Sequence, residues 1–294
     1  MGLTLGDVVA NLKVGSSQVR KMYRGSAFAA GPVASGGTET VISQGGKFYK
    51  VHTFTSTGTS TLAFSRGGDV EYLVVAGGGG GGAIGGGGGA GGFRTGQKVI
   101  SAGSKEVVVG NGGNGSIGNN PGADGQASSF DGVVSAGGGG GGQYVQGGGT
   151  GRDGGSGGGG GSSGQAGVFP VAGSGNVPPT SPAQGNDGGQ GGQQASGGGG
   201  GGGAGGPGNA VSDNPQRAGG AGVTSAISGA DVVYASGGDG GSFGSVPLAD
   251  GVDGLGDGGG GGRFNNPSYI DGGSGGSGTV VVRYEITEAE YDAV

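Results

Sequence analysis

The side chains able to do chemistry are few and scattered. The chain has one histidine, His52, and no cysteine. A thiolate nucleophile, a disulfide framework and a thiolate or multi-histidine metal site are therefore excluded. His52 stands beside Lys50, between Phe48 and Phe54, with no accompanying nucleophile, and reads as a structural strand histidine. Asp239, Asp250, Asp253 and Asp257 read as solvated turn aspartates. A weak Ca²⁺ site is the sharper alternative, because carboxylates and loop carbonyls suit that ion. The remaining chemistry is recognition. Tyr144, Phe169, Phe243, Phe264 and Tyr269 lie in Gly-, Asn- or Pro-rich surroundings. They either seal the edges of a glycine-rich body or serve as exposed anchors for a sugar face or an apolar patch. The richest segment runs from 263 to 269, where Arg263, Phe264, Asn265 and Tyr269 bring a cation, two rings and an amide together. Aromatic and arginine anchors of this kind dominate binding surfaces. A second group is basic: Lys13, Arg20, Lys21 and Arg24, with Tyr23, against Asp7 alone in residues 1–35. These are solvated strand residues or a docking face for an acidic partner.

Familiar motifs fail. GxGxxG recurs throughout, and without a strand, a helix and a later acid it carries no information. Gly46-Lys47 is followed by Phe48, not by the Ser or Thr of a phosphate-binding loop. No catalytic array, cofactor or metal is expected, and the chain does not read as an enzyme.

Composition narrows the class. Of 294 residues, 93 are Gly, while Leu, Ile, Val and Phe number 7, 7, 30 and 9. That is too little apolar side chain for an ordinary core of this length. The net charge of −6 lacks the strong imbalance of a disordered chain. Collagen needs Gly at every third residue and abundant Pro, whereas this chain has unbroken Gly runs and only 10 Pro. A mildly acidic chain without basic runs points away from nucleic acid. The longest clean apolar stretch, Tyr72 to Ala76, is far too short for membrane insertion.

The elements that must position these residues fall into three parts. Residues 1–35 form a small β module for attachment, with short apolar segments punctuated by Gly-Ser. Residues 36–286 form a glycine-rich domain, and 287–294 a polar tail. Within the domain, 36–76 supply entry strands, among them Phe48 to Thr55 and Thr59 to Ser65 flanking a Thr57-Gly58 hairpin turn. Residues 77–278 hold 81 of the 93 glycines, and 279–286 form a closing strand. Thirty Val against seven Leu favours sheet over helix. Gly runs begin at Gly77, Gly137, Gly197 and Gly237, each behind a small residue, and such phasing marks stacked units rather than linker. A run of glycine can adopt an extended helix of three residues per turn, whose outward N–H and C=O groups pair with neighbouring helices. The expected fold is therefore all-β plus non-regular structure: strands flanking a bundle of packed polyglycine-II helices, with negligible α-helix. Non-Gly clusters between the runs would be loops gathered at the ends of the bundle.

Three segments carry a resemblance. Tyr49 to Gly58, Val70 to Gly82 and Gly275 to Tyr284 are similar to the opening and closing segments of the glycine-rich domain of bacteriophage tail proteins. Val107 to Gly113 and Ser128 to Gly132 resemble its internal landmarks. More loosely, the domain resembles tail-fibre tip adhesins built as polyglycine-II sandwiches. The resemblance implies a virion protein of the tail that docks to other tail proteins through residues 1–35. Its loops would meet host-surface carbohydrate or an outer-surface protein, and a homo-oligomer is compatible with it. The alternative is a scaffold or decoration protein using the same domain as a stiff spacer.

Overall fold

The computed structural model describes residues 11–14, 17–20, 31–193, 196–211, 217–241, 249–265 and 268–293. The chain divides into two compact units, Met1–Gly31 and Pro32–Val294. In the first, β1 (Asn11–Val14) and β2 (Ser17–Arg20) form an antiparallel hairpin in which Lys13 faces Gln18 and Arg20 faces Asn11 in register.

The second unit is nearly all β with negligible helix. It opens with β3 (Val33–Ser35), β4 (Thr38–Gln44), β5 (Lys47–Phe54), β6 (Gly58–Arg66) and β7 (Gly68–Val75). After a first glycine excursion come β8 (Phe93–Ile100) and β9 (Gly103–Val109), then β10 (Ser128–Phe130) and β11 (Val133–Ser135). Short hairpins follow: β12 (Val223–Ser225) with β13 (Val232–Tyr234), and β14 (Arg263–Asn265) with β15 (Ser268–Ile270). The closing strand is β16 (Thr279–Ile286). Two five-stranded antiparallel sheets result, ordered β11-β10-β9-β6-β3 and β4-β5-β16-β7-β8. Phe54, Val70, Val74, Val280 and Val282 of the second pack on Leu62, Phe64, Val107, Val109 and Phe130 of the first. The other face of the second sheet buries Val51, Leu73, Val75 and Val281 against Ala90, Ile227 and Tyr234. The valine-rich closing strand is thus central in its sheet and covered on both faces.

The expected hairpin at Thr57-Gly58 does not form. β5 is already paired on both sides, by β4 and β16, so β6 joins the other sheet and residues 55–57 link the two layers. The actual hairpin is β4–β5, turned at Gly45 and Gly46 with φ of +61° and +76°, a left-handed pair that glycine adopts without strain. The polar tail carries a single helical turn, α1 (Glu288–Tyr291), closed by a capping box between Thr287 and Glu290.

The glycine tracts have their own order, which the tract from Ala76 to Ala83 shows most fully. The N–H groups of Gly77, Gly80 and Ala83 donate to Gln126, Ala123 and Asn120; those of Gly78 and Gly81 to Gly276 and Gly273; those of Gly79 and Gly82 to Gly89 and Gly86. The partner changes with every residue and returns every third, as a helix of three residues per turn requires. The carbonyls follow the same rule: Gly77, Gly80 and Ala83 accept from Gly138, Gly141 and Tyr144, Gly78 and Gly81 from Gly113 and Ser116, and Gly79 and Gly82 from Gly259 and Gly262. One helix is therefore surrounded by six others, three antiparallel and three parallel. The expected polyglycine-II bundle is present, and its tracts run out from the sandwich and back.

Candidate functional site: the far end of the glycine bundle

Bonding at the far end of the central tract locates the turns. Around Ala83, the Asn120 carbonyl accepts from its N–H at 3.1 Å and Tyr144 donates to its carbonyl at 3.0 Å. Gly262, one residue before β14, donates to Gly82. The turns near 84, 118–120 and 143–148 and the hairpin β14–β15 therefore gather at the end away from the sandwich. The turn at 163–169 joins them: Val145 and Ser163 form a parallel bridge, the Ser163 hydroxyl donates to the Gln146 carbonyl at 3.0 Å, and Gly167 N–H donates to Gln193 Oε1. Asp271, just beyond β15, accepts from Gly118 N–H at 2.9 Å and ties the hairpin to the 118–120 turn. By contrast Asn176 to Pro182, another non-Gly cluster between the glycine runs, lies at the sandwich end. There Gln184, the buried residue that follows, accepts from Ala136 N–H and donates to the Pro178 carbonyl, both at 2.8 Å.

The residues expected to recognise a ligand divide accordingly. Phe169 is 46% exposed at the far end. Tyr144 is half-buried, its hydroxyl lying over Gly164, where any Cβ would collide with it. In β14–β15, Phe264 stands opposite Tyr269 and Asn265 opposite Ser268, so the expected loop is a tight hairpin. Arg263 at its base is only 8% exposed, and burial lowers the pKa of its guanidinium. Phe243 lies outside the described residues, as do Lys21, Tyr23 and Arg24 of the basic group.

The aspartates are more than solvated turns. Asp124, Asp153, Asp187, Asp239, Asp250, Asp253, Asp257 and Asp271 each accept a backbone N–H from a neighbouring tract or turn, at 2.6–2.9 Å. All eight are followed directly by Gly. Where a tract lies at the bundle surface and has no helix beside it, a carboxylate takes the place of the missing carbonyl. Sequence reasoning missed this role, although the recurring Asp-Gly pair was its signal. Among the described residues no group of three or more His, Cys, Asp or Glu side chains gathers as metal ligands.

His52 is fully buried. Its Nδ1 lies 2.8 Å from the Gly36 carbonyl and its Nε2 3.3 Å from the Tyr284 hydroxyl. Burial lowers its pKa and outweighs the opposing pull of the Gly36 carbonyl and of Glu39. It fastens the strand segment near Gly36 to β16.

No curated protein matches the chain. A family model described as a glycine-rich domain matches residues 55–285, a span that runs from the end of β5 through every glycine tract into β16. The chain therefore belongs to the glycine-rich domain family.

Proposed function

We propose that this chain is a bacteriophage tail adhesin, in which the glycine bundle holds a set of turns rigidly toward the host surface and residues 1–35 fasten it to the tail. One observation carries the reading: the turns at 118–120, 143–148 and 163–169 and the hairpin β14–β15 share the end of the bundle opposite the sandwich. A polyglycine interior offers no side-chain specificity, so discrimination belongs to the turns, where rigid scaffolds commonly carry function. The bundle suits that task because the tracts leading into the turns are bonded through backbone to several neighbours. Lys13 and Arg20 of the β1–β2 hairpin, with Lys21, Tyr23 and Arg24, supply the basic docking group.

The test is adsorption of particles carrying Phe264→Ala with Tyr269→Ala. An anchor truncation typically costs about 2 kcal/mol, some thirty-fold in affinity. Adsorption is expected to fall at least that far while the melting temperature of the purified chain holds. Unchanged adsorption favours the stiff-spacer reading. A lowered melt assigns the two rings to packing.

A further inference from the structure

A groove of about 960 Å³ opens on the flank of the bundle, toward the sandwich end. It is lined by the surface tract that leaves β9, by the tract returning to β10, by the tract entering β16, and by residues just after β5. The surface tract shows the three-residue rhythm in its exposure: Asn111 and Asn114 are exposed, Gly112 and Gly115 half-buried, Gly113 and Ser116 buried. Into the groove this tract contributes Asn111 and Asn114, beside Gln126, Thr57 and Ser274. Asn111 Nδ2 donates to Gln126 Oε1 at 3.2 Å, which holds those two amides in place. Two carboxylates also line it: Asp124, one oxygen taken by Gly140 N–H at 2.8 Å and the other paired with Arg152 Nη1 at 3.4 Å, and Asp253, with one oxygen taken by Ser277 N–H at 2.9 Å. Among the described residues no Lys, Arg or His lines it, nor any apolar side chain larger than alanine.

We propose that this groove binds a neutral, hydroxyl-rich ligand, namely an oligosaccharide of a few residues. Side-chain amides both donate and accept, and hydroxyls do the same, so the lining matches a ligand whose polar groups are mostly hydroxyls. Asp124 is offset by Arg152, but Asp253 has no ion-pair partner among the described residues and disfavours an anionic ligand. The scarcity of apolar lining gives nothing to a hydrophobic one. The volume lies within the range of about 300–1,000 Å³ usual for small-molecule sites. The walls are held by backbone bonds on their inner sides, so little ordering cost remains to be met on binding. Asn111 and Asn114 are one helical turn apart, about 9 Å along the tract, and so offer the same amide to successive parts of a repeating polymer. The site lies on the flank, apart from the turns to which host recognition was assigned above, and does not depend on that assignment.

The experiment is titration calorimetry of the full chain with neutral gluco-, manno- and galacto-configured oligosaccharides of two to six residues, and with sulfated and sialylated counterparts. At least one neutral oligosaccharide is expected to bind with a Kd of about 1 mM or tighter. The double variant Thr57→Val with Asn114→Leu, both at exposed positions, is expected to bind it at least tenfold more weakly with an unchanged melt. Phe264→Ala with Tyr269→Ala is expected to bind it as wild type does. Should the double variant melt lower, Thr57→Val alone carries the test, with a loss of at least threefold expected. The proposal is overturned by the absence of binding across the neutral panel. It is equally overturned by tighter binding of an anionic counterpart, or by unchanged affinity in the groove variants.

Discussion

The sandwich and the glycine bundle are joined in one unit, yet opposite materials hold them. In the sandwich, Leu62, Val107 and Phe130 are fully buried and apolar area removed from water does the work. In the bundle, Gly77 to Gly82 are equally buried and have no side chain to bury. Each glycine there costs roughly 0.5–1 kcal/mol more to order than alanine. Each backbone bond contributes about 0.5–1.5 kcal/mol net, so the balance is positive only when nearly every bond is made. The bundle must therefore be complete, which accounts for the carboxylates, and for hydroxyls such as Ser274 Oγ, that accept N–H groups in place of a neighbouring carbonyl. The two regions should consequently obey inverted substitution rules: side chains are indispensable in one and intolerable in the other.

The sharpest break is a single methyl group. A Cβ on Gly88 would lie closer than 3.0 Å to the carbonyl of Gly79, backbone that cannot swing aside. Gly88→Ala is expected to cost about 3 kcal/mol or more, and Gly140→Val, whose Cβ meets the Gly122 carbonyl, more still. At exposed Gly147, where nothing lies within 4 Å of a new Cβ, the same Gly→Ala change is expected to be neutral or to stabilise by about 0.4–1 kcal/mol. Thermal melts of the three variants decide it. Equal melting temperatures for Gly88→Ala and Gly147→Ala would mean that the bundle does not pack as described.

The sandwich should give the mirror result. Leu62→Ala, at a fully buried site, is expected to cost about 2–5 kcal/mol through lost burial and a cavity. Smaller effects probe the bundle surface. Asp187 accepts from Gly175 N–H at 2.7 Å. Asp187→Ala is expected to cost about 1 kcal/mol, and Asp187→Asn less, because the amide oxygen can still accept. Denaturant midpoints at fixed pH resolve that difference, and equal losses would make charge, rather than the acceptor, the cause.

Much of this architecture was legible in the sequence, and its gaps have physical causes. The valine-rich strands and the phased glycine runs are composition and period, so both could be read. Which tract lies beside which could not, because glycine carries no side chain to distinguish one neighbour from another. Thr57-Gly58 looked like a hairpin because turn chemistry is local, whereas β16, more than 200 residues away, occupies the edge of β5 that such a hairpin needs. The turns at 143–148 and at Asn176 to Pro182 both interrupt the glycine runs, and nothing in either segment says which end it occupies. Only the out-and-back path of the chain sends the first to the far end and keeps the second near β8 and β11. Arg263 was expected to face a ligand because arginine so often does, and its burial follows from its place at the base of a tight hairpin.

The smallest expected effect lies within the sandwich and depends on pH. His52 is the only histidine in the chain, so its titration can be followed without overlap. Its folded-state pKa is below the ordinary value of 6.5, chiefly because burial disfavours the charged ring. Between 6.5 and that lowered pKa, the unfolded chain takes up a proton that the folded chain refuses. Stability from this group is therefore complete above about pH 6.5 and declines as pH falls, by at most about 1.4 kcal/mol per unit. The decline stops once the folded ring itself protonates. Glu39 Oε1, 3.8 Å from Nδ1, limits the effect by favouring the charged ring. Urea midpoints between pH 7.5 and 5 are expected to fall for wild type. His52→Gln lowers stability at every pH through the lost packing, but its curve is expected to be flatter across that interval. A slope identical in both proteins would place the acid sensitivity outside the sandwich, among the carboxylates that close the bundle surface.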